Sequence, residues 1–512
     1  MMRLKLKKAV PALLLPVALA TAAGCAASGG GTADSNVKQA AQPAKEDKPV
    51  EINFSLSGTG MPEKDKDDIA NTLNKKLGIT LKVNAISADY DNQLNVKVAG
   101  GNVPDLFTVS QAQLKDFAEK GVLLDLTSLW DTKLKATKDF YISTVGEGII
   151  KKGTVKGKSY AVPRTGDEPS HTFWIRQDWL DALGLQAPTT LDDLFKVAVA
   201  FTENDPDGNG KKDTFGITGT ELAAFTPLFG AYGVGSPDSF YEKGGKYVNA
   251  YYDPAMPDAL TAIKKFVDAG VVMPQVMTNK SLNYRDQAFQ GKAGIMYAPW
   301  YDISKDEFVA QYKAVNPQAK WVQLAAPKGP GGAYFDVFDK EKPSRYYAMS
   351  KSLEKDPAKL QKVLDLISYV SGKEGLELVM FGLEGKHYNK KDGNVVPTEL
   401  MAKEGNYFNN YQMAGRPNNS YNLAKFPNNT KDREFAINAP RLTSFDSSVV
   451  PPAGFSIADA KRYAQEELVK FIYGKRPIGE YADFLKTLSG TYKYDLYIDE
   501  AQKIVKELGY IK

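Results

Sequence analysis

The pattern of apolar and polar residues along the chain predicts strands that alternate with helices. Residues 50–56 alternate in polarity as a strand does, and residues 62–77 form a charged helical stretch that ends before Gly78. Residues 80–86 and 90–99 repeat the order of strand and helix. This alternation is typical of an α/β fold with a mainly parallel sheet.

A second block of strands and helices lies between residues 158 and 216. Tyr160 to Pro163 predict a short strand that the proline halts, because proline cannot donate to a ladder. Residues 171–175 predict a further strand, and Asp178 opens a short helix that Gly184 ends. The next helix is predicted from a capping box and an apolar stripe, formed by Thr190 with Asp193 and by Leu191, Leu194, Phe195, Ala198 and Phe201.

An acidic, glycine-rich loop, DPDGNGKKD, follows that helix. Its side-chain and carbonyl oxygens fall at the alternating positions of a calcium-binding loop. The predicted ligands are Asp205, Asp207, Asn209, Lys211 through its carbonyl, and Asp213. An EF-hand ends in a glutamate where this chain has Gly216, so the site is incomplete by that template. A solvated acidic turn is the alternative to a structural Ca²⁺ site.

The first 24 residues have the composition of a secretory signal peptide: a basic start, an apolar stretch, then small residues. They end at Ala22-Ala23-Gly24-Cys25, which resembles a bacterial lipobox, although Ala22 stands where such motifs usually have leucine. Cys25 is the single cysteine, so no disulfide can form within the chain. We expect cleavage before Cys25, lipidation of that residue, for example by palmitate, and a flexible tether over residues 25–49. An ordinary secretory signal with a chance cysteine is the alternative.

Charge and motif content exclude several classes of function. The formal net charge is +4, and the four basic residues before Cys25 account for all of it. The predicted mature chain is neutral, which gives no reason to expect a nucleic acid as partner. The chain has two histidines and lacks HExxH and GxSxG motifs. We therefore predict no catalytic residues, although a glycoside-cleaving enzyme stays an alternative because carboxylates are plentiful.

Several segments resemble a known family. They are YAVP at residues 160–163, WIRQDWLDALGL at 174–185, DPDGNGKKDTFG at 205–216, AGGNVPDLF at 99–107 and GKAGIMY at 291–297. In this order they are similar to the extracellular solute-binding lipoproteins of bacterial carbohydrate ABC importers. The alginate-oligosaccharide binders of that group carry a loop like that at residues 205–213 with calcium. The resemblance covers nearly all of the chain after residue 50.

The resemblance implies an α/β, two-lobed, periplasmic-binding-protein-like (type II) fold with hinge strands between the lobes. The first lobe is expected at residues 50–163 plus 331–397, and the second at residues 164–330 plus 398–512. The implied function is to bind an oligosaccharide between the lobes and deliver it to membrane permease subunits. We expect a monomer on the extracellular face of the cell membrane, held there only through Cys25. A receptor of the same fold for peptides or other solutes is a further alternative.

Candidate ligand residues lie at predicted strand ends and among the aromatic residues. Ligands of α/β sheets bind outside the carboxyl ends of strands, so we expect Ser57, Thr59, Ser110 and Gln111 to line the site. Each fits equally well as an ordinary polar loop residue.

The aromatic candidates end the strand predicted before residue 300. A sugar ring offers an apolar face to a flat aromatic, and the family places a stacking aromatic there. We expect Trp300, with Tyr301 and Asp302 beside it, to contact the sugar, and Trp174 to be a second aromatic contact. A core position is the alternative for either tryptophan. Arg164 could bind hydroxyls or a uronate carboxylate with two nitrogens, or form a surface salt bridge instead.

Overall fold

The computed structural model describes residues 48–452 and 454–512. The signal peptide, Cys25 and the tether up to residue 47 lie outside the described residues. Residues 49–512 form one compact unit. In the described part of the chain, no helix has the length and apolar content that crossing a membrane requires.

Two sheets organise this unit. The five-stranded first sheet has the order β2-β1-β3-β14-β6, and the four-stranded second sheet has the order β12-β7-β11-β8. The strands are β1 (Val50–Ser57), β2 (Ile79–Ile86), β3 (Leu106–Val109), β4 (Thr154–Val155), β5 (Lys158–Ser159), β6 (Ala161–Thr165), β7 (His171–Arg176), β8 (Phe215–Thr218), β9 (Phe240–Lys243), β10 (Lys246–Asn249), β11 (Ala293–Pro299), β12 (Trp321–Leu324), β13 (Val337–Phe338), β14 (Pro343–Met349), β15 (Tyr388–Lys391), β16 (Asn394–Pro397) and β17 (Leu442–Thr443).

Helices cover both faces of both sheets. They are α1 (Asp68–Leu77), α2 (Tyr90–Ala99), α3 (Gln111–Glu119), α4 (Lys135–Thr144), α5 (Ile149–Lys152), α6 (Gln177–Ala182), α7 (Leu191–Glu203), α8 (Thr226–Gly230), α9 (Met256–Asp268), α10 (Asn283–Phe289), α11 (Asp306–Val315), α12 (Pro357–Ser371), α13 (Lys373–Phe381), α14 (Glu399–Glu404), α15 (Asn418–Lys425), α16 (Thr430–Asn438), α17 (Ile457–Ile472), α18 (Tyr481–Gly490) and α19 (Tyr494–Glu507).

The first sheet combines distant parts of the chain. Strands β1, β2 and β3 pair in parallel, as the alternation of strands and helices predicts. Strand β14 then inserts between β3 and β6 and runs antiparallel to both. Alternate residues of each strand enter different cores, because the side-chain period of a strand is two. Phe54 and Tyr347 pack in one core and Phe107 and Tyr346 in the other.

The second sheet also separates two cores. Phe173 and Ile295 pack in the larger core with helices α7 and α9, whereas Trp174 and Met296 pack on the opposite face. Strand β11 is parallel to β8 and antiparallel to β7. Residues that come late in the chain complete the first sheet's core: Tyr407, Phe408, Tyr411, Met413 and Ala414.

Two local predictions were wrong. Helix α1 begins at Asp68 rather than at residue 62, because the side chain of Asp67 caps it by accepting from the Ala70 N–H. Strand β6 continues through Pro163 to Thr165. It lies at the edge of the first sheet, where a proline without an N–H is tolerated. The capping box of Thr190 and Asp193 is present at the start of α7, as predicted.

Candidate ligand site at the carboxyl edges of the two sheets

The chain passes from the first sheet to the second through a short segment, residues 166–170, which we call the crossing segment. Strand β6 enters it at the edge where β3 ends, since Arg164 pairs with Arg345 and Tyr346 with Val109. The chain leaves the crossing segment at the edge of the second sheet where β11 ends. The carboxyl ends of the parallel strands in both sheets therefore lie at the two ends of one short connection, the position that ligands take in α/β sheets.

The predicted first-sheet residues lie at this edge. Ser57 is exposed, and its backbone N–H donates to the Thr108 Oγ1 at 3.1 Å. Thr59 is exposed in the following loop. Ser110 caps α3 in a capping box with Gln113, so its hydroxyl has a structural partner. Gln111 is half-buried at the start of α3 and lines a 760 Å³ groove beside the C-terminal helix α19. Their contact with a ligand stays a prediction.

Arg164 lies at the same edge but is buried. Its Nε donates to the Gln412 backbone oxygen at 3.0 Å, and its Nη2 donates to the Gln412 Oε1 at 3.0 Å. Its Nη1 donates to the Ser344 Oγ at 2.6 Å. Burial lowers the pKa of the Arg164 guanidinium, and the neighbouring charges of Arg416 and Arg345 act in the same direction. Arg164 thus holds the segment around Gln412 against β6 and β14.

The aromatic residues after β11 differ in exposure. Trp300 is 5% exposed and packs edge-to-face against Phe426, with 5.8 Å between ring centroids. Tyr301 is 38% exposed, so its ring is the accessible one of the pair. The pKa of the Asp302 carboxyl is raised by burial, against the opposing charges of Arg285 and Lys305.

Trp174 lies deeper than the other aromatic candidate. It is 2% exposed, and its Nε1 donates to the Ala298 oxygen at 3.2 Å, between neighbouring strands of the second sheet. A ligand role for either tryptophan stays a prediction.

A cavity of 730 Å³ opens near the carboxyl ends of β8 and β11, and sequence reasoning missed the residues that line it. Tyr297 of β11 stacks on Phe335 with 6.1 Å between centroids and lies 5.4 Å from the His171 ring. The Thr220 hydroxyl is buried without a hydrogen-bond partner. Aromatic faces and polar groups together suit a hydroxylated ring. Tyr297 belongs to the GKAGIMY segment. Its place just before the end of a strand is the sequence signal that could have indicated it as a ligand contact.

The residues of the predicted calcium loop converge in one turn. The Asp205 carboxylate accepts from the N–H groups of Asn209 and Gly210, at 3.1 and 2.9 Å. The Asn209 Nδ2 contacts Asp207 and Asp213, at 2.9 and 3.2 Å. Burial, and then the neighbouring Asp205, raise the pKa of the Asp207 carboxyl. The oxygen atoms of these side chains are the kind of ligand that a hard cation prefers.

Two features limit the resemblance of this turn to an EF-hand. The Lys292 ammonium contacts the Asp213 carboxylate at 2.7 Å. It therefore supplies part of the positive charge that a bound cation would bring to the acidic turn. Gly216 lies in β8, where an added Cβ would come within 2.6 Å of the Ala198 Cβ in α7. A glutamate therefore cannot occupy the position at which an EF-hand loop ends.

Among the described residues, one further group could hold a metal ion by geometry: Asp68, His387 and Glu404. The His387 Nε2 is buried, 3.6 Å from Asp68 and 3.7 Å from Glu404. However, the Leu383 N–H donates to the His387 Nδ1 at 3.0 Å, which leaves the proton of the neutral ring on Nε2. A protonated Nε2 has no lone pair for a metal. Lys386 already contacts Asp68 at 2.6 Å, so a charge cluster fits this group better than a metal centre.

Solved structures of other proteins share this fold. The alginate-binding protein AlgQ2, described without calcium ion, superposes with a TM-score of 0.66 at 18% identity, over 90% of this chain and 98% of that one. The FusA EF-hand mutant of Streptococcus pneumoniae, in complex with fructo-nystose, gives 0.63 at 17% identity, over 90% and 100%. The chain therefore has the two-lobed α/β fold of these proteins, which confirms the predicted fold.

The chain belongs to the family of bacterial extracellular solute-binding proteins, whose sequence profile matches residues 58–377. The polygalacturonan/rhamnogalacturonan-binding protein YtcQ of Bacillus subtilis (strain 168) is 29% identical, over 67% of this chain and 68% of its own. The lipoprotein LipO of the same organism is 28% identical, over 74% of each chain. These relatives are named as binding proteins or lipoproteins and not as enzymes.

Proposed function

We propose that the chain is the substrate-binding component of a carbohydrate ABC importer. It binds an oligosaccharide between the carboxyl edges of its two sheets and delivers it unchanged to membrane permease subunits. Membership of the solute-binding family carries this proposal, and the carbohydrate ligands in the names of its relatives support it. The joined sheet edges supply a place for the ligand.

The proposed ligand contacts come from both edges. Tyr301, Asp302, Tyr297 and Thr220 contribute from the second sheet. Ser57, Thr59, Ser110, Gln111 and Arg164 contribute from the first. Trp300 and Trp174 are proposed as further aromatic contacts of the sugar. We place the lobes at residues 50–163 plus 331–397 and at residues 164–330 plus 398–512, except that residues 407–414 belong to the first lobe, because they pack in its core.

The proposal includes a structural Ca²⁺ bound by the carboxylates of Asp205, Asp207 and Asp213, the Asn209 side chain and the Lys211 carbonyl. Calcium would supply the positive charge that this turn needs. It also includes a signal peptide over residues 1–24 and a lipid on Cys25 that holds a monomer at the extracellular face of the membrane. The naming of LipO as a lipoprotein supports the lipid anchor.

Calorimetric titration with a panel of neutral and acidic oligosaccharides tests the proposal. Tyr301→Ala and Tyr297→Ala are expected to weaken binding at least tenfold, whereas Tyr473→Ala, a half-buried tyrosine after α17, serves as the control. Chromatography of the sugar after incubation should recover it intact. Absence of binding across the panel would refute the receptor, and cleavage products would favour the glycosidase alternative.

A further inference from the structure

A small polar cavity of 270 Å³ lies beside the crossing segment. Arg164 and Asp167 line it from the crossing side, and Asn406, Asn409, Arg416 and Tyr421 line it from the chain that follows α14. Apart from the tyrosine ring, these side chains offer N–H donors, two amide oxygens and one carboxylate. The cavity is large enough for a carboxylate group or for one sugar ring that carries it.

Positive charge around this cavity exceeds negative charge. Arg164 is buried, and within the described residues neither it nor Arg345, its partner in the sheet register, has a carboxylate within 4.0 Å. Arg345 does not line the cavity, but its charge acts on the Arg164 guanidinium, whose pKa it helps to lower. The carboxylate of Asp167 reaches only the outermost guanidinium, that of Arg416, at 3.8 Å, and its side chain is 79% exposed. Buried guanidinium groups without a counter-ion are costly, and a bound anion would remove that cost.

Arg416 is held in a fixed orientation at the mouth of the cavity. Its guanidinium lies over the Tyr421 ring, with 3.9 Å from the central carbon to the ring centroid. Its Nε donates to the Asn418 Oδ1 and its Nη1 to the Gln412 Oε1, both at 3.2 Å. The polar partner of the Arg416 Nη2 is the Asp167 carboxylate, at the long distance of 3.8 Å. A planar guanidinium fixed by stacking is suited to recognise a carboxylate, because little freedom is lost on binding.

We propose that this cavity is an oxyanion site that binds a carboxylate of the transported ligand, with Arg416 as the contacting residue and Arg164 as a buried charge behind it. The inference rests on the proposed function in one respect, because it assigns the carboxylate to the oligosaccharide rather than to a free anion. It makes acidic sugars the substrate class and Arg416 the residue that discriminates them from neutral ones.

The test uses one pair of ligands that differ in charge and in the added ester methyl groups: a trisaccharide of uronic acid and its fully methyl-esterified form. The wild-type protein, Arg416→Gln and Arg462→Gln are titrated with both by calorimetry. Arg462 is an exposed arginine paired with Asp459 and serves as the matched control. We expect the wild type and Arg462→Gln to prefer the acid by roughly 10-fold to 100-fold, and Arg416→Gln to lose that preference. Unchanged melting temperatures exclude misfolding, and Arg416→Lys should recover part of the preference at most.

The outcomes separate this inference from the proposed function. Equal affinity of the wild type for acid and ester, or a preference that survives in Arg416→Gln, overturns the oxyanion site and leaves an oligosaccharide receptor in place. If neither these nor other oligosaccharides bind, the receptor proposal fails. Titration with sulfate then tests whether the cavity binds an oxyanion at all. Sulfate that stabilises the wild type but not Arg416→Gln would support an oxyanion site for free anions. Sulfate without a differential effect would overturn it.

Discussion

Arg433 and Glu168 form a two-pronged ion pair between helix α16 and the crossing segment. The Arg433 Nη2 lies 2.8 Å from both Glu168 oxygens, and its Nε lies 3.0 Å from one of them. The Arg433 side chain is buried, and Asn422 adds a contact to the same carboxylate at 3.4 Å. This pair fixes the crossing segment, which joins the two sheets, to the helical region that follows α14.

Loss of this ion pair should destabilise the protein. Arg433→Ala leaves Glu168 partly buried and without its charge partner, and we expect the free energy of unfolding to fall by about 2 kcal/mol. Denaturant titration measures the change. Arg462→Ala removes an exposed pair and should cost about 0–1 kcal/mol. Equal effects of the two substitutions would show that the crossing segment does not depend on Arg433.

Lys152 makes a second buried contact that links distant parts of the chain. Its Nζ lies 3.0 Å from the Asp339 carboxylate and 2.8 Å from the Ser448 Oγ, and both charged side chains are almost inaccessible. Burial lowers the pKa of Lys152. Lys152→Met should cost about 3–5 kcal/mol, since it leaves Asp339 charged and unpaired.

A neutral partner should recover part of that cost. The double variant Lys152→Met with Asp339→Asn retains an acceptor for the Glu341 N–H, which donates to Asp339 at 3.0 Å. We expect it to be more stable than Lys152→Met alone by denaturant titration. A double variant no more stable than the single one would contradict a charge-based role for Lys152.

The contribution of Asp446 to the free energy of unfolding should fall as the pH rises. Burial raises its pKa from 3.8 to about 6, although the Phe240 N–H and the Tyr247 hydroxyl donate to it and oppose the shift. The folded state therefore binds the proton more tightly than the unfolded state. The resulting stabilisation is complete below the unfolded pKa of 3.8 and is lost as pH rises through about 6.

The variant Asp446→Asn isolates this contribution. Between pH 4 and pH 8, the wild type should lose up to about 3 kcal/mol more than the variant. Unfolding free energies of both proteins at the two pH values give this difference directly. A pH dependence that is identical in the two proteins would contradict the raised pKa of Asp446.

Calcium should raise the melting temperature if the loop at residues 205–213 binds it. Asp205→Asn with Asp207→Asn should abolish the effect of added calcium and of chelator. Lys292→Gln removes the ammonium that contacts Asp213 and should strengthen calcium binding. Asp483→Asn, an exposed carboxylate on α18, is the control. A melting temperature that responds to neither calcium nor chelator would argue for a solvated acidic turn.

The sequence predicted features that depend on neighbouring residues. The alternation of strands and helices, the capping box at Thr190 and the convergence of the acidic loop all follow from short-range periodicity or spacing. The α/β fold and the position of Ser57 and Ser110 at one sheet edge also followed, because parallel strands end on the same side.

Features that depend on long-range pairing could not be predicted in this way. The place of β14 between β3 and β6 is set by register with strands far away in sequence. The burial of Arg164 depends on Gln412, a residue distant along the chain that carries no local signal. Trp300, which directly follows β11, was chosen over Tyr297 within that strand, because exposure cannot be read from periodicity alone.

The insertion of β14 has a consequence for the order in which the protein is made. The first sheet stays open between β3 and β6 until residues 343–349 have left the ribosome, and its core also needs Tyr411 and its neighbours. The second sheet, whose strands end at Leu324, can close earlier. The sheet that starts first therefore receives its last strand after the other sheet is complete, and chains that stop before Pro343 should be captured by proteases or chaperones.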